Sequence, residues 1–185
     1  MRTVELLPDE AVDRAVRAAW HRLARAGLPS QAAHPHPTNR PHLTLATADA
    51  LSPAARERLA AALEPLPVPL VLEGLLRFPG RARVLAWAVR PDPALLRLHG
   101  AVWRALAASP AAGRLNPLHA PGRWIPHLTL GRSRRPAWED RPDAELLSLL
   151  LPAGPYEPPR GAFTAARSYD SATRTTEALL PRGPR

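Results

Sequence analysis

The five-residue sequence Pro-His-Leu-Thr-Leu occurs twice in this chain, at residues 41–45 and again at residues 126–130. Written as a β-strand, each copy directs its His and Thr to one face and its two Leu to the other, because strand side chains alternate. The Leu pair can enter a core while an imidazole and a hydroxyl stand side by side at a cleft. Two such strands facing one another would present four polar side chains to the space between them: His42, Thr44, His127 and Thr129.

The same order of elements is predicted after both copies. Ser52-Pro53 and Asp92-Pro93 are helix-start signals, a capping side chain followed by Pro at the first helical position. Periodicity and turn residues predict strands over 3–7, 68–78, 83–89, 161–169 and 174–180, and helices over about 10–27, 52–63, 92–108 and 142–151. Each copy is thus followed by a helix and two strands, with a Pro-rich loop after the fourth helix.

Because the two copies lie 85 residues apart (127 − 42), the chain reads as two related halves. We predict an α+β fold that is bilobal, with two pseudo-symmetric antiparallel sheets, outer helices and a central cleft. The His-x-Thr strands should lie near 41–47 and 124–132, within a single domain of residues 1–185. At this length, neither lobe is expected to be stable alone.

Two residue types are missing, and both absences limit the chemistry. There is no Cys, which excludes thiol nucleophiles, disulfides and thiolate metal sites. There is no Lys either, so all 25 basic residues are Arg, and a covalent lysyl-nucleotide, a Schiff base or a P-loop Lys is excluded. ATP-dependent ligation through a lysyl intermediate therefore cannot occur in this chain.

The formal net charge of +9 has two explanations that the sequence leaves open. It can indicate an anionic partner, since summed charge steers association. It can equally reflect a GC-biased genome in which Arg replaces Lys throughout. The chain has no apolar run long enough to span a bilayer, and its N-terminus lacks the apolar stretch of a signal peptide. We expect a cytoplasmic protein, monomeric, with no membrane partner.

A single His-x-Thr carries little information in a chain with seven His. Two copies inside the same five-residue sequence, at matching places in two similar halves, favour a shared function. A structural alternative remains, in which duplicated halves keep a buried His-Thr pair that stiffens each sheet.

On these residues the chain resembles the two-histidine (2H) phosphoesterase superfamily, which includes 2′-5′ RNA ligases and RNA 2′,3′-cyclic phosphodiesterases. Those proteins carry two His-x-Thr-x motifs on facing strands of a bilobal α+β fold. Three stretches add to the resemblance: 71–87 is similar to the central hairpin of the family, 124–132 to its second motif, and 168–171 to its closing strand.

Carried over residue by residue, the resemblance implies His42 and His127 as the catalytic acid–base pair. It implies Thr44 and Thr129 as phosphate ligands, with Arg132 helping to neutralise the phosphate. On a regular strand Arg132 would face away from His127, so it reaches the cleft only if the strand ends or bulges at Gly131. Two imidazoles can activate water and protonate a leaving ribose oxygen, and threonine hydroxyls can donate to phosphate oxygens.

The leading hypothesis is a metal-independent phosphodiesterase that hydrolyses 2′,3′-cyclic phosphate ends of RNA or nucleotides and needs no cofactor. By resemblance, ATP-independent 2′-5′ RNA ligation is the reverse activity. Two alternatives remain: a non-catalytic RNA- or phosphate-binding module, and a cyclic phosphodiesterase acting on a nucleotide-derived metabolite. The best-known RNA ligase branch continues its first motif into Phe-Leu-Gly, whereas this chain has Thr47-Ala48-Asp49, which weakens the case for base stacking there.

The remaining candidates are weaker. His34 and His36, close in sequence to His42, lack a carboxylate partner and a recognised ligand spacing, so we expect no metal site. His119, in a Pro-flanked loop, is placed at the rim of the cleft. Of the five Trp, mostly assigned to the core, we expect Trp138 to be the exposed one.

Overall fold

The computed structural model describes residues 1–151, 157 and 159–180. Within them lie four α-helices and seven β-strands: β1 (Arg2–Pro8), α1 (Glu10–Arg25), β2 (Leu43–Ala48), α2 (Pro53–Leu63), β3 (Val68–Phe78), β4 (Arg83–Val89), α3 (Pro93–Ala107), β5 (His127–Ser133), α4 (Asp143–Leu150), β6 (Arg160–Asp170) and β7 (Thr175–Ala178). The predicted order of helix, strand and strand after each motif strand is confirmed. The Pro-rich loop before β6 lies largely outside the described residues.

The helices begin where the capping signals place them. The side chain of Ser52 accepts a hydrogen bond from the backbone N–H of Ala55, and Pro53 occupies the first position of α2. Asp92 caps α3 in the same way, accepting from the N–H of Ala94 at 2.7 Å. Each cap satisfies one of the N–H groups that a helix start leaves without a partner.

All strand pairs are antiparallel, in the order β2-β1-β6-β3-β4-β5, with β7 added to β6. Strand β3 joins the two halves of this order, because its residues 68–71 pair with β6 while its residues 72–78 pair with β4. The result is a mixed fold with one connected seven-stranded sheet in the described residues. The two separate sheets that we expected are linked because β3 is long enough to pair on both sides.

The core confirms the alternation predicted for the repeated sequence. All four Leu of the two copies are at most 1% exposed: Leu43, Leu45, Leu128 and Leu130. Helix α1 packs against α4, and α2 against α3. The prediction that Trp138 is exposed is wrong, since it is 1% exposed. Its indole lies close to Gly131, where a Cβ atom would come within 2.3 Å of the carbonyl oxygen of Pro29 and 3.0 Å of the indole, so only glycine fits between them.

Among the residues that the structure describes, no helix is both long and apolar enough to cross a membrane.

Candidate active site

Strand β5 bulges directly after the threonine of its motif. Thr129 is opposite Ala86 and Gly131 is opposite Leu85, so Leu130 is an extra residue on this strand. A bulge displaces the alternation of side chains by one position. Arg132 therefore lies on the same face as the motif His and Thr, whereas a regular strand would turn it away.

Strand β2 bulges at the equivalent place. Thr44 is opposite Glu5 and Ala46 is opposite Val4, which leaves Leu45 as the extra residue. Thr47 thereby takes the position that Arg132 has on β5, and Thr47 is 7% exposed. The two motif strands thus share one backbone form but differ at this position, with a neutral hydroxyl on β2 and an exposed guanidinium on β5.

The backbone orients both motif imidazoles in the same way. Nδ1 of His42 lies 2.8 Å from the carbonyl oxygen of Arg40, and Nδ1 of His127 lies 2.7 Å from that of Ile125. A carbonyl oxygen only accepts, so Nδ1 carries the proton in each neutral ring. Each Nε2 is then left with a lone pair that can accept a proton, and with an N–H once protonated.

The two motif strands approach each other although they stand at opposite ends of the strand order. Their Cα atoms come within 8 Å, so the sheet is strongly curved. Two indoles hold the motifs by their backbones: Nε1 of Trp124 donates to the carbonyl of Thr44 at 2.9 Å, and Nε1 of Trp20 donates to the carbonyl of Thr129 at 3.0 Å. The electrostatic influence of His42 reaches His127, where it lowers the pKa of the ring.

A buried carboxylate faces the first imidazole. Glu5 of β1 is 3% exposed, and its Oε1 lies 3.8 Å from Nε2 of His42. Arg167 donates from Nε to Oε2 of Glu5 at 2.8 Å, and Thr3 donates to Oε1 at 2.6 Å. Burial raises the pKa of Glu5, but the charges of His42 and Arg167 and the two hydrogen bonds outweigh it and hold that pKa below its usual value. Glu5 is therefore an anion at neutral pH.

Two apolar residues border the second imidazole, and no carboxylate is among the groups that shift its pKa. The ring of Phe78 lies 4.6 Å from the ring of His127, centroid to centroid, and Ala88 is the β4 partner of His127. Burial is the largest cause lowering the pKa of His127, and the charges of Arg132 and His42 lower it further, against a backbone hydrogen bond to Ile125 that raises it. Both imidazoles thus have the same contact between Nδ1 and a backbone carbonyl, but an anionic carboxylate faces His42 whereas the positive charge of Arg132 acts on His127.

Two further imidazoles lie behind the site. His99 of α3 is 2% exposed, stacks on Trp124 at 3.9 Å and donates from Nε2 to the carbonyl of His119 at 2.9 Å. Burial lowers the pKa of His99. Burial also lowers the pKa of His119, and the charges of His127 and His99 lower it further. His119, which we had placed at the cleft rim, is thus within electrostatic reach of His127.

The sequence reading missed Glu5, Arg167 and Phe78. Glu5 left one signal, because it is an acidic residue between the apolar residues Val4 and Leu6. Arg167 left none, since its partner Glu5 is 162 positions away. In the described ranges 1–151, 157 and 159–180, no group of three or more His, Asp or Glu side chains is placed to hold a metal ion.

A curved antiparallel sheet with outer helices and neighbouring motif strands is the arrangement that the resemblance to the two-histidine phosphoesterase superfamily predicts. A family described as the 2′-5′ RNA ligase superfamily matches residues 8–167, and the chain belongs to that superfamily. This confirms the resemblance drawn from the repeated motif and supports a function of the phosphoesterase type.

Two solved structures share the fold. The chain is similar to one described as a phosphoesterase, with a TM-score of 0.55 and 20% identity over 96% of this chain and 92% of that one. It is also similar to Usb1 of Kluyveromyces marxianus, with a TM-score of 0.51 and 15% identity over 96% of both chains. A comparison with curated proteins gave no match.

Proposed function

We propose that this protein is a metal-independent phosphodiesterase that hydrolyses 2′,3′-cyclic phosphate ends of RNA or nucleotides. His42 and His127 are the proton-transfer pair, and Thr44, Thr129 and Arg132 bind the phosphate. The observation that carries the proposal is the matched setting of the two rings, each with its Nδ1 held by the carbonyl two residues earlier. Nε2 of each ring can therefore accept or donate a proton, as a general base and a general acid must.

The reaction needs one proton removed and one proton supplied. Water attacks the phosphorus as the base takes its proton, and the bond from phosphorus to one ribose oxygen breaks as the acid protonates that oxygen. The product is an open phosphate monoester, and a proton exchange with solvent restores both rings. Each proton transfer is worth about 10²–10⁴-fold in rate, so no metal or nucleotide cofactor is required.

The environments of the two rings favour His127 as the base and His42 as the acid. A lowered pKa keeps His127 neutral at pH 7, so that its Nε2 can accept the proton of water. The carboxylate of Glu5 stabilises positive charge on His42, which is the form that donates. Arg132 adds a guanidinium on the His127 side, where negative charge develops on the phosphate.

The pseudo-symmetry of the two halves is part of the same proposal. It is supported by the strand order, in which β2-β1-β6 and β5-β4-β3 are equivalent runs. It is also supported by the bulge after each motif threonine. On this basis residues 1–185 form one bilobal domain with the phosphate bound between the motif strands. The same chemistry, with a 5′-hydroxyl in place of water, would form a 2′-5′ linkage without ATP.

The proposal is tested by turnover of 2′,3′-cyclic mononucleotides, oligonucleotides with cyclic phosphate ends and cyclic phosphates of nucleotide-derived metabolites. We expect His42→Ala and His127→Ala each to lose at least about 10²-fold in kcat, and a chelator to leave the wild type unchanged. His21→Ala is the matched control, because His21 is exposed on α1. Full activity of either motif variant would refute the catalytic assignment.

The same panel separates the alternatives. A binding module would show no turnover of any substrate, together with salt-sensitive RNA binding that survives both His substitutions. A metabolite-directed enzyme would hydrolyse the metabolite and leave nucleotide substrates untouched.

A further inference from the structure

A cavity outside the candidate active site lies between the loop before β2 and the end of β6. It has a volume of about 530 Å³ and is lined by His34, Pro35, His36, Pro37, Tyr169 and Arg174. The first four residues belong to the loop before β2, and the last two lie at the end of β6 and in the turn to β7. A volume of this size is typical of sites for small organic ligands.

The cavity is connected to His42 by a chain of polar contacts. Nδ1 of His36 lies 2.7 Å from the hydroxyl of Thr38, and the carbonyl of Thr38 accepts a hydrogen bond from Arg167 at 3.1 Å. Arg167 in turn binds Glu5, the carboxylate that faces His42. Tyr169 and Arg167 are two residues apart on β6 and share a face, so the cavity begins about 7 Å along that strand from Arg167.

Both imidazoles of the cavity have a proton at Nε2 in their neutral form. Nδ1 of His34 accepts from the backbone N–H of His36 at 3.3 Å, and Nδ1 of His36 accepts from the backbone N–H of Thr38 at 3.2 Å. A nitrogen that accepts has no proton, so the proton of each neutral ring is on Nε2. The lining therefore includes two N–H donors that do not depend on protonation.

The charge of the lining is positive. Arg174 contributes a guanidinium, and no lining residue is acidic. The nearest carboxylates along β6 and β7 are engaged elsewhere, since Asp170 pairs with Arg2 at 3.0 Å and Glu177 pairs with Arg56. Tyr169 adds an aromatic ring, which meets the ring of His36 edge to face at 6.0 Å.

We propose that this cavity binds a second nucleotide of the substrate, next to the one whose cyclic phosphate is opened. Arg174 and the two imidazoles contact its phosphate, and its base lies against Tyr169 and the prolines. Guanidinium and N–H donors suit phosphate, and aromatic faces suit unpaired bases. The proposal rests on the proposed function and makes an oligonucleotide, rather than a mononucleotide, the preferred substrate.

The test compares kcat/KM for a 2′,3′-cyclic mononucleotide with kcat/KM for a short oligoribonucleotide ending in the same cyclic nucleotide. The wild type should prefer the oligonucleotide. Arg174→Gln should lower its kcat/KM about tenfold, chiefly through KM, and leave the mononucleotide unchanged. The salt dependence of the oligonucleotide KM should also weaken by about one phosphate contact.

Two further variants make the test specific. His36→Phe keeps a ring against Tyr169 and removes both nitrogens, and it should reproduce the selective loss. Arg97→Gln changes the net charge equally, at an exposed position on α3, and should affect neither substrate. Equal kcat/KM of the wild type for both substrates, equal losses on both in Arg174→Gln, or the same selective loss in Arg97→Gln would overturn the proposal.

Failure of the proposed function would look different. If the wild type turns over neither substrate, affinity for the same oligonucleotide carrying a 3′-phosphate is measured instead. Weaker binding by Arg174→Gln than by Arg97→Gln would then support the cavity as a nucleotide site without catalysis. Equal affinities would refute it.

Discussion

Replacing Glu5 by Gln removes a charge from the site while keeping the size of the side chain. The carboxylate lies 3.8 Å from Nε2 of His42 and is 3% exposed. Two unit charges about 4 Å apart attract by about 4 kcal/mol at an effective dielectric constant of about 20. The guanidinium of Arg167 on the other carboxylate oxygen offsets part of this attraction. His42 is one-third exposed, so solvent screens the pair further, and about 1.4 kcal/mol of attraction remains, which corresponds to about tenfold in kcat.

The assay is kcat for a 2′,3′-cyclic mononucleotide at pH 7, with Glu57→Gln as the control. Glu57 is exposed on α2, so its substitution changes the net charge equally without touching the site. We expect Glu5→Gln to lower kcat about tenfold, because the imidazolium of His42 loses the anion that faces it. The substitution also leaves Arg167 buried without its partner, which costs about 3–5 kcal/mol of stability.

Thermal unfolding of Glu5→Gln therefore accompanies the kinetics, and rates are compared below the melting transition of the variant. A folded Glu5→Gln protein whose kcat matches that of Glu57→Gln would refute the electrostatic role of this carboxylate.

Two further predictions follow from the site. Thr129→Val should lower kcat about 10²-fold in the same turnover assay, because it removes a hydroxyl donor to the phosphate. Thr129→Ser keeps the hydroxyl and should retain most of the activity. Equal activities of the two variants would contradict the role of the hydroxyl. The free energy of unfolding should fall as the pH drops below about 6.5. Burial lowers the pKa of His99 and His127 in the folded chain, so the unfolded chain binds more protons in that range. Urea unfolding at pH 7.5 and 5.5 measures this, and His99→Gln should reduce the difference; equal stability of the wild type at both pH values would contradict it.

Local signals explain why most of the fold was predictable from the sequence. Capping side chains such as Ser52 and Asp92 act within three residues of the helix start, so they can be read without knowing the rest of the structure. The alternation of His42, Leu43 and Thr44 is local in the same sense, and it placed the motif leucines in the core. The element order after each copy follows from these signals together with the periodicity and turn residues of the strands, which are also local.

Other features depend on contacts between distant parts of the chain. The bulge at Leu130 is a property of pairing with β4, and it determines where Arg132 points. The pair of Glu5 and Arg167 joins the first strand to the sixth, so neither residue stood out from its neighbours as a partner of the other. The burial of Trp138 depends on tertiary contacts such as its approach to Gly131 of β5, which the local sequence around Trp138 does not reveal. Pairing of β3 on both sides likewise requires knowledge of the complete sheet.

The central claim is that two imidazoles act as one catalytic unit, and a double-mutant cycle tests it most directly. The measurement is kcat for a 2′,3′-cyclic phosphate substrate in the wild type, His42→Ala, His127→Ala and the double variant. Residues that act as a unit show strongly non-additive losses. We predict that the double variant is about as slow as the slower single variant. Losses that multiply in the double variant, or either single variant retaining wild-type kcat, would contradict the paired mechanism.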